Sequence, residues 1–113
     1  MEYSVGGDAH VAVVAPAGEI DVAVAPRLQA VLKGLLDEGR TRVVIDMSGI
    51  TFIDSAGLGI LVNAYKLARA QGGGVKFAAA VPEVRRLFQI TRTDKYLEFY
   101  DGLDAARQSF DGS

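Results

Sequence analysis

The stretch Arg42 to Met47 limits the possible folds more than any other part of this chain. It is short and almost continuously apolar, with Val43, Val44 and Ile45 in succession where a half-buried strand would alternate. Such a run predicts a central strand covered on both faces, as in parallel pairs flanked by helices. The remaining sequence must therefore supply helices for both sides of a sheet.

It does so at regular intervals. Tyr3 and Val5 alternate with small or polar residues, Gly6-Gly7-Asp8 signals a turn, and His10 to Ala17 reads as a second strand, which predicts an opening hairpin. Gly18-Glu19-Ile20-Asp21 ends that strand, and Pro26 marks the first turn of a helix. Leu28, Val31, Leu32, Leu35 and Leu36 recur at helical spacing, and Gly39 is a natural stop. After the central strand a second helix is predicted from about Ala56 to Gln71, ended by Gly72-Gly73-Gly74. Val75 to Ala79 reads as a strand, Pro82 opens a third helix on Val84, Leu87 and Phe88, and Leu97 to Tyr100 reads as a short strand. Asp101 is placed to cap a last helix carrying Leu103, Ala106 and Phe110 inward. The order β-β-α-β-α-β-α-β-α predicts an α/β domain with a mixed central sheet covered by helices. At 113 residues, without a linker or repeat, residues 1–113 are expected to form a single domain.

Thr51 to Leu61, T-F-I-D-S-A-G-L-G-I-L, joins the central strand to the second helix. Asp54-Ser55 suits a helix start, yet Gly57 and Gly59 follow in the first turns, each costing about 1 kcal/mol relative to alanine. Close approach of another backbone or of a partner would offset that cost. Sites in α/β sheets gather beyond the carboxyl ends of strands, and Ser55 lies just there, at or near the N-cap. Two readings compete with a functional serine: a plain capping residue, and an anion-binding helix start. The stretch lacks the lysine and spacing of a phosphate-binding P-loop, and Asp54 would repel phosphates. Further along the helix, Leu58, Leu61, Val62, Tyr65 and Ala68 should face the sheet. Ile60, Ala64 and Leu67 form a second stripe, with Ala56 above it, which suits either a neighbouring helix or a partner.

Several chemistries lack residues to carry them. There is no cysteine, which removes disulfides, thiolate nucleophiles and cysteine-held metals. A single histidine, His10, cannot make a multi-histidine metal site, and no motif links it to Ser55 as a base. Ile53 stands where a G-x-S-x-G elbow requires its first glycine. Asp21, Asp46 and Asp54 match no metal-loop spacing. A net charge of −2 gives no basic footprint for nucleic acid. No signal peptide precedes the first strand and no apolar run could span a bilayer, so a cytoplasmic protein without cofactor or metal is expected.

The stretch V-V-I-D-M-S-G-I-T-F-I-D-S-A-G-L-G-I-L-V resembles the anti-sigma factor antagonists, the bacterial STAS domains of partner switching. G-E-I-D-V-A-V-A-P-R-L is similar to their strand-to-helix segment, and V-P-E-V-R-R-L-F-Q-I-T-R-T-D-K-Y-L-E-F-Y-D-G-L-D-A-A to their C-terminal half. The resemblance implies that Ser55 is phosphorylated by a partner that is both serine kinase and anti-sigma factor. Unphosphorylated antagonist would bind that partner and free the sigma factor, and a metal-dependent phosphatase of the PP2C type would reverse the mark. It further implies a partner-binding surface of Asp21, Asp54, Ser55, Ala56, Gly57, Leu58, Gly59 and Ile60. A non-switching STAS scaffold or sensor, or a nucleotide-binding module, are the alternatives. Three departures stand out: Ala79-Ala80 where many members have an asparagine, Arg92-Thr93 for the more usual glycine-leucine, and Val22-Ala23 for a larger or polar pair.

Overall fold

The computed structural model describes residues 1–111. Strand β1 (Glu2–Gly7) pairs antiparallel with β2 (Ala12–Ile20), and every other pairing in the sheet is parallel. The path is β1-β2-β3-β5-β6, with β3 (Arg42–Asp46), β5 (Gly74–Ala78) and β6 (Glu98–Tyr100), while β4 (Ile50–Ile53) pairs with β2 alone. The expected mixed sheet is present, with β4 as one short strand more than the expected order contains.

Strand β2 is longer than expected and accounts for β4. Its first part, Ala12 to Val14, pairs with β3, and its last, Gly18 to Ile20, pairs with β4 after a register shift between Gly18 and Glu19. Gly18, at φ +89°, supplies the conformation for that irregularity. His10 does not open β2 but lies in the turn before it, where its N–H donates to Asp8 Oδ1 at 2.8 Å.

The helices are α1 (Ala25–Asp37), α2 (Ser55–Ala70), α3 (Pro82–Ile90) and α4 (Leu103–Asp111), with a 3-10 turn at Thr93–Lys95. The larger core joins α1, α2 and α3 to one face of the sheet through Val43, Ile45, Leu28, Leu61, Phe77 and Phe88. A smaller one seats α4 on the other face through Val44, Ala78, Ala106 and Phe110. Val44 and Ile45, adjacent in sequence, thus serve opposite cores and both are fully buried, as a doubly covered central strand requires. Among the described residues no helix is long and apolar enough to cross a membrane.

The second stripe of α2 meets its neighbour. Ala64 is buried, and Ile60 and Leu67 line a groove of about 110 Å³ against Leu32 and Leu36 of α1. Ala64 packs within the stripe, Ile60 is half-buried and Leu67 is exposed at its far end.

Candidate functional site

Strands β2 and β4 run parallel and end side by side, Ile20 opposite Ile53, and the residues that follow them are Asp21 and Asp54-Ser55. The capping residue of α2 is Asp54. It has extended backbone (φ −104°, ψ −175°), and its Oδ1 accepts the Gly57 N–H at 3.0 Å. Ser55 is therefore the first helical residue, one position inside the expected cap. It is exposed, and its hydroxyl has no hydrogen-bond partner among the described residues. A serine needed only for capping would spend its oxygen on a backbone N–H.

Asp54 does more than cap. Its second oxygen, Oδ2, accepts the N–H of Val22 at 3.0 Å, and its own N–H donates to the Ile20 carbonyl at 3.2 Å. The loop after β2 is thereby fastened to the first turn of α2. Within that loop Asp21 Oδ1 accepts the N–H groups of Ala23 and Val24, at 3.0 and 3.3 Å, and its carbonyl accepts those of Val24 and Ala25. Asp21 thus shapes the entry to α1, and its carboxylate lies on the same sheet edge as Ser55. Asp46 similarly accepts the Ser48 N–H at 3.0 Å. The carboxylates of all three aspartates accept backbone N–H groups. Among the described residues no cluster of His, Cys, Asp or Glu is arranged to hold a metal ion.

The two glycines of the first turns have different causes. A Cβ on Gly57 would stand 2.6 Å from the Ile20 carbonyl oxygen and 2.9 Å from its side chain. Gly57 is buried against β2, so the close approach there is internal to the fold. A Cβ on Gly59 would meet nothing within 4 Å. Gly59 is exposed one helical turn below Ser55 and leaves the helix surface bare beside the hydroxyl.

The residues expected at the partner surface differ in exposure. Ser55 and Gly59 are exposed, and Asp21, Asp54 and Ala56 are half-buried at its margin. Gly57 and Leu58 are buried in the fold, and Ile60 is turned into the groove against α1. None of these three lies on the open face. Two large apolar side chains nearby in sequence are exposed: Val22, 71%, in the loop after β2, and Phe52, 49%, in β4.

Chemically, the arrangement offers a hydroxyl and no machinery to activate it. His10 lies at the opposite end of β2. Ser55 is not in the lining of the five best-formed cavities among the described residues. The Asp54 cap takes the Gly57 N–H and leaves those of Ser55 and Ala56 at the positive end of the helix, without intrahelical acceptors.

Residues 3–106 match the model of the STAS domain family. The anti-sigma-B factor antagonist of Bacillus subtilis is 39% identical over 75 residues, covering 66% of this chain and 68% of the relative. A crystal structure of an anti-sigma factor antagonist from Mycobacterium paratuberculosis superposes with a TM-score of 0.88 at 31% identity, covering 97% of this chain and 93% of that one. The Bacillus anti-sigma factor antagonist SpoIIAA shares the fold at 18% identity in its unphosphorylated form, with a TM-score of 0.75 over 98% of this chain and 96% of that one. Its phosphorylated form scores 0.74 at 17% identity, over 96% and 99%. With a family match across nearly its whole length and relatives of this kind, the chain belongs to the STAS domain family, among its anti-sigma factor antagonists.

Proposed function

We propose that this protein is a cytoplasmic anti-sigma factor antagonist whose partner is a serine kinase that is also an anti-sigma factor, and that Ser55 is the switch. In the unphosphorylated state the face around Ser55, Gly59 and Val22 binds the kinase, which releases the sigma factor. Transfer of a phosphate to Ser55 breaks the complex, and a PP2C-type phosphatase resets it. The chain acts as substrate and ligand, with no catalytic residue of its own. The observation that carries this reading is the Ser55 hydroxyl, exposed at the first position of α2 with the cap already supplied by Asp54.

The physics of the switch is local. Phosphorylation adds about −1.5 to −2 charge. The unpaired N–H groups of Ser55 and Ala56 at a helix N-terminus favour that charge by about 0.3–1 kcal/mol, so α2 has no reason to melt. The similar scores of the two SpoIIAA forms against this chain support a mark that leaves such a fold in place. At the interface the balance reverses. Two like charges about 6 Å apart at an effective dielectric near 20 repel by about 3 kcal/mol. That amounts to about a hundredfold in affinity. The carboxylates of Asp21 and Asp54 already make this face acidic, and a partner carboxylate would add to it.

The test compares wild type with Ser55→Asp in binding to the cognate kinase, with circular dichroism on both. The proposal expects weakened binding and an unchanged spectrum. A stable complex that ignores the charge at residue 55 would favour a scaffold role and contradict the switch.

A further inference from the structure

The far edge of the sheet, where β3 and β5 begin, carries a second feature that the Ser55 switch does not use. A cavity of about 430 Å³ opens there beside Gly72-Gly73-Gly74, with Arg42, Arg69, Lys76, Glu98 and Phe110 in its wall. Lys76 is only 8% exposed. Its ammonium makes no hydrogen bond to any described residue; its ion-pair partner, Glu98 Oε2, stands 3.9 Å away, beyond hydrogen-bond reach. The ammonium otherwise faces the rings of Phe110 at 4.3 Å and Tyr100 at 5.9 Å. Rings offer charge attraction but accept no conventional hydrogen bond, so the N–H donors of this mostly buried side chain are left to the open cavity.

Neighbouring groups are arranged to complete such a site. Arg42 pairs with Gly74 and Val44 with Lys76, so Arg42 and Lys76 project from the same sheet face on adjacent strands. Arg69 is steadied by its hydrogen bond to the Tyr65 hydroxyl at 2.9 Å, which occupies Nη1 and leaves other guanidinium donors. Against the single carboxylate of Glu98, the wall holds an excess of two positive charges in a chain whose net charge is −2. The glycines add no side chain to the rim.

We infer that this cavity binds the phosphate group of a small phosphorylated molecule, with Lys76 as the buried anchor and Arg42 and Arg69 flanking it. A phosphate matches the donors in charge and in number of acceptor oxygens, whereas a carboxylate would supply only what Glu98 already provides.

The test is a titration of the ¹⁵N-labelled protein with glycerol 2-phosphate, inorganic phosphate and, at matched ionic strength, sodium chloride. The inference expects saturable amide shifts confined to Arg42, Gly72 to Gly74, Lys76 and Glu98 with both phosphates, and none with chloride. Lys76→Met should weaken binding about tenfold or more, the loss expected for one charge-assisted hydrogen bond. Arg42→Gln, on an exposed side chain that cannot endanger the fold, should weaken it severalfold. Shifts that fail to saturate, that chloride reproduces, that appear with inorganic phosphate alone, or that survive unchanged in Arg42→Gln and Lys76→Met would overturn it.

Discussion

The carboxylate of Asp54 holds Val22 and Gly57 at once, accepting one backbone N–H on each oxygen at 3.0 Å. It spans 32 residues of sequence to do so and ties the exposed Val22 loop to the turn that carries Ser55. Removing it should therefore cost more than a cap. Asp54→Ala loses about 1 kcal/mol of capping and about another 1 kcal/mol from the Val22 bond. Urea denaturation should show a loss of about 2 kcal/mol, and Asp54→Asn, which keeps one acceptor oxygen, about half of it.

The two glycines of α2 should respond with opposite signs. Gly59→Ala faces open space and should stabilise the fold by about 1 kcal/mol. Gly57→Ala places a methyl against the Ile20 carbonyl and should destabilise by about 1–3 kcal/mol despite the better helix former. Thermal melts of the pair decide this. If Gly59 serves access to Ser55, the more stable Gly59→Ala chain is also the poorer kinase substrate.

Two non-glycine residues fall at strained backbone. Ala79 and Arg92 have φ of +60° and +62°, where non-glycine residues lose about 1–2 kcal/mol. Ala79→Asn and Arg92→Gly introduce residue types that adopt this conformation more readily. Allowing for the looser unfolded chain that glycine brings, each should raise stability by about 0.5–1 kcal/mol, readable in denaturant midpoints.

Acid should act through the β1–β2 turn. Asp8 is held below its ordinary 3.8 by the N–H groups of Val11 and then His10, with Arg107 assisting. Its Oδ2 also pairs with Arg107 of α4 at 2.9 Å. A carboxyl lowered on folding stabilises above its unfolded value and loses that contribution as pH falls through the folded one. The stability difference between wild type and Asp8→Asn should thus be present near neutrality and shrink as pH falls below the ordinary 3.8 and through the lowered folded value.

Much of this was legible in the sequence. Val43 to Ile45 announced a doubly covered strand, and the leucines of α1 announced its buried side, because both patterns follow directly from backbone period. Strand β4 was not, since its few residues pair only with the tail of β2 beyond the Gly18 irregularity. Gly57 and Gly59 look alike in sequence, and only helix phase separates them. The stripe Gly57, Leu61, Ala64, Ala68 shows that phase, and all four are buried. The cap was expected at or near Ser55 and falls on Asp54, whose hold on Val22 is tertiary and leaves no local trace. The burial of Lys76 depends on α4 closing over β5 and left none either.

The most direct measurement is to incubate the protein with the serine kinase that binds it and ATP, then map the phosphate by mass spectrometry. The account predicts one phosphate, on Ser55, and no modification of Ser55→Ala. A phosphate at another residue, or a Ser55→Ala chain still modified, would contradict it.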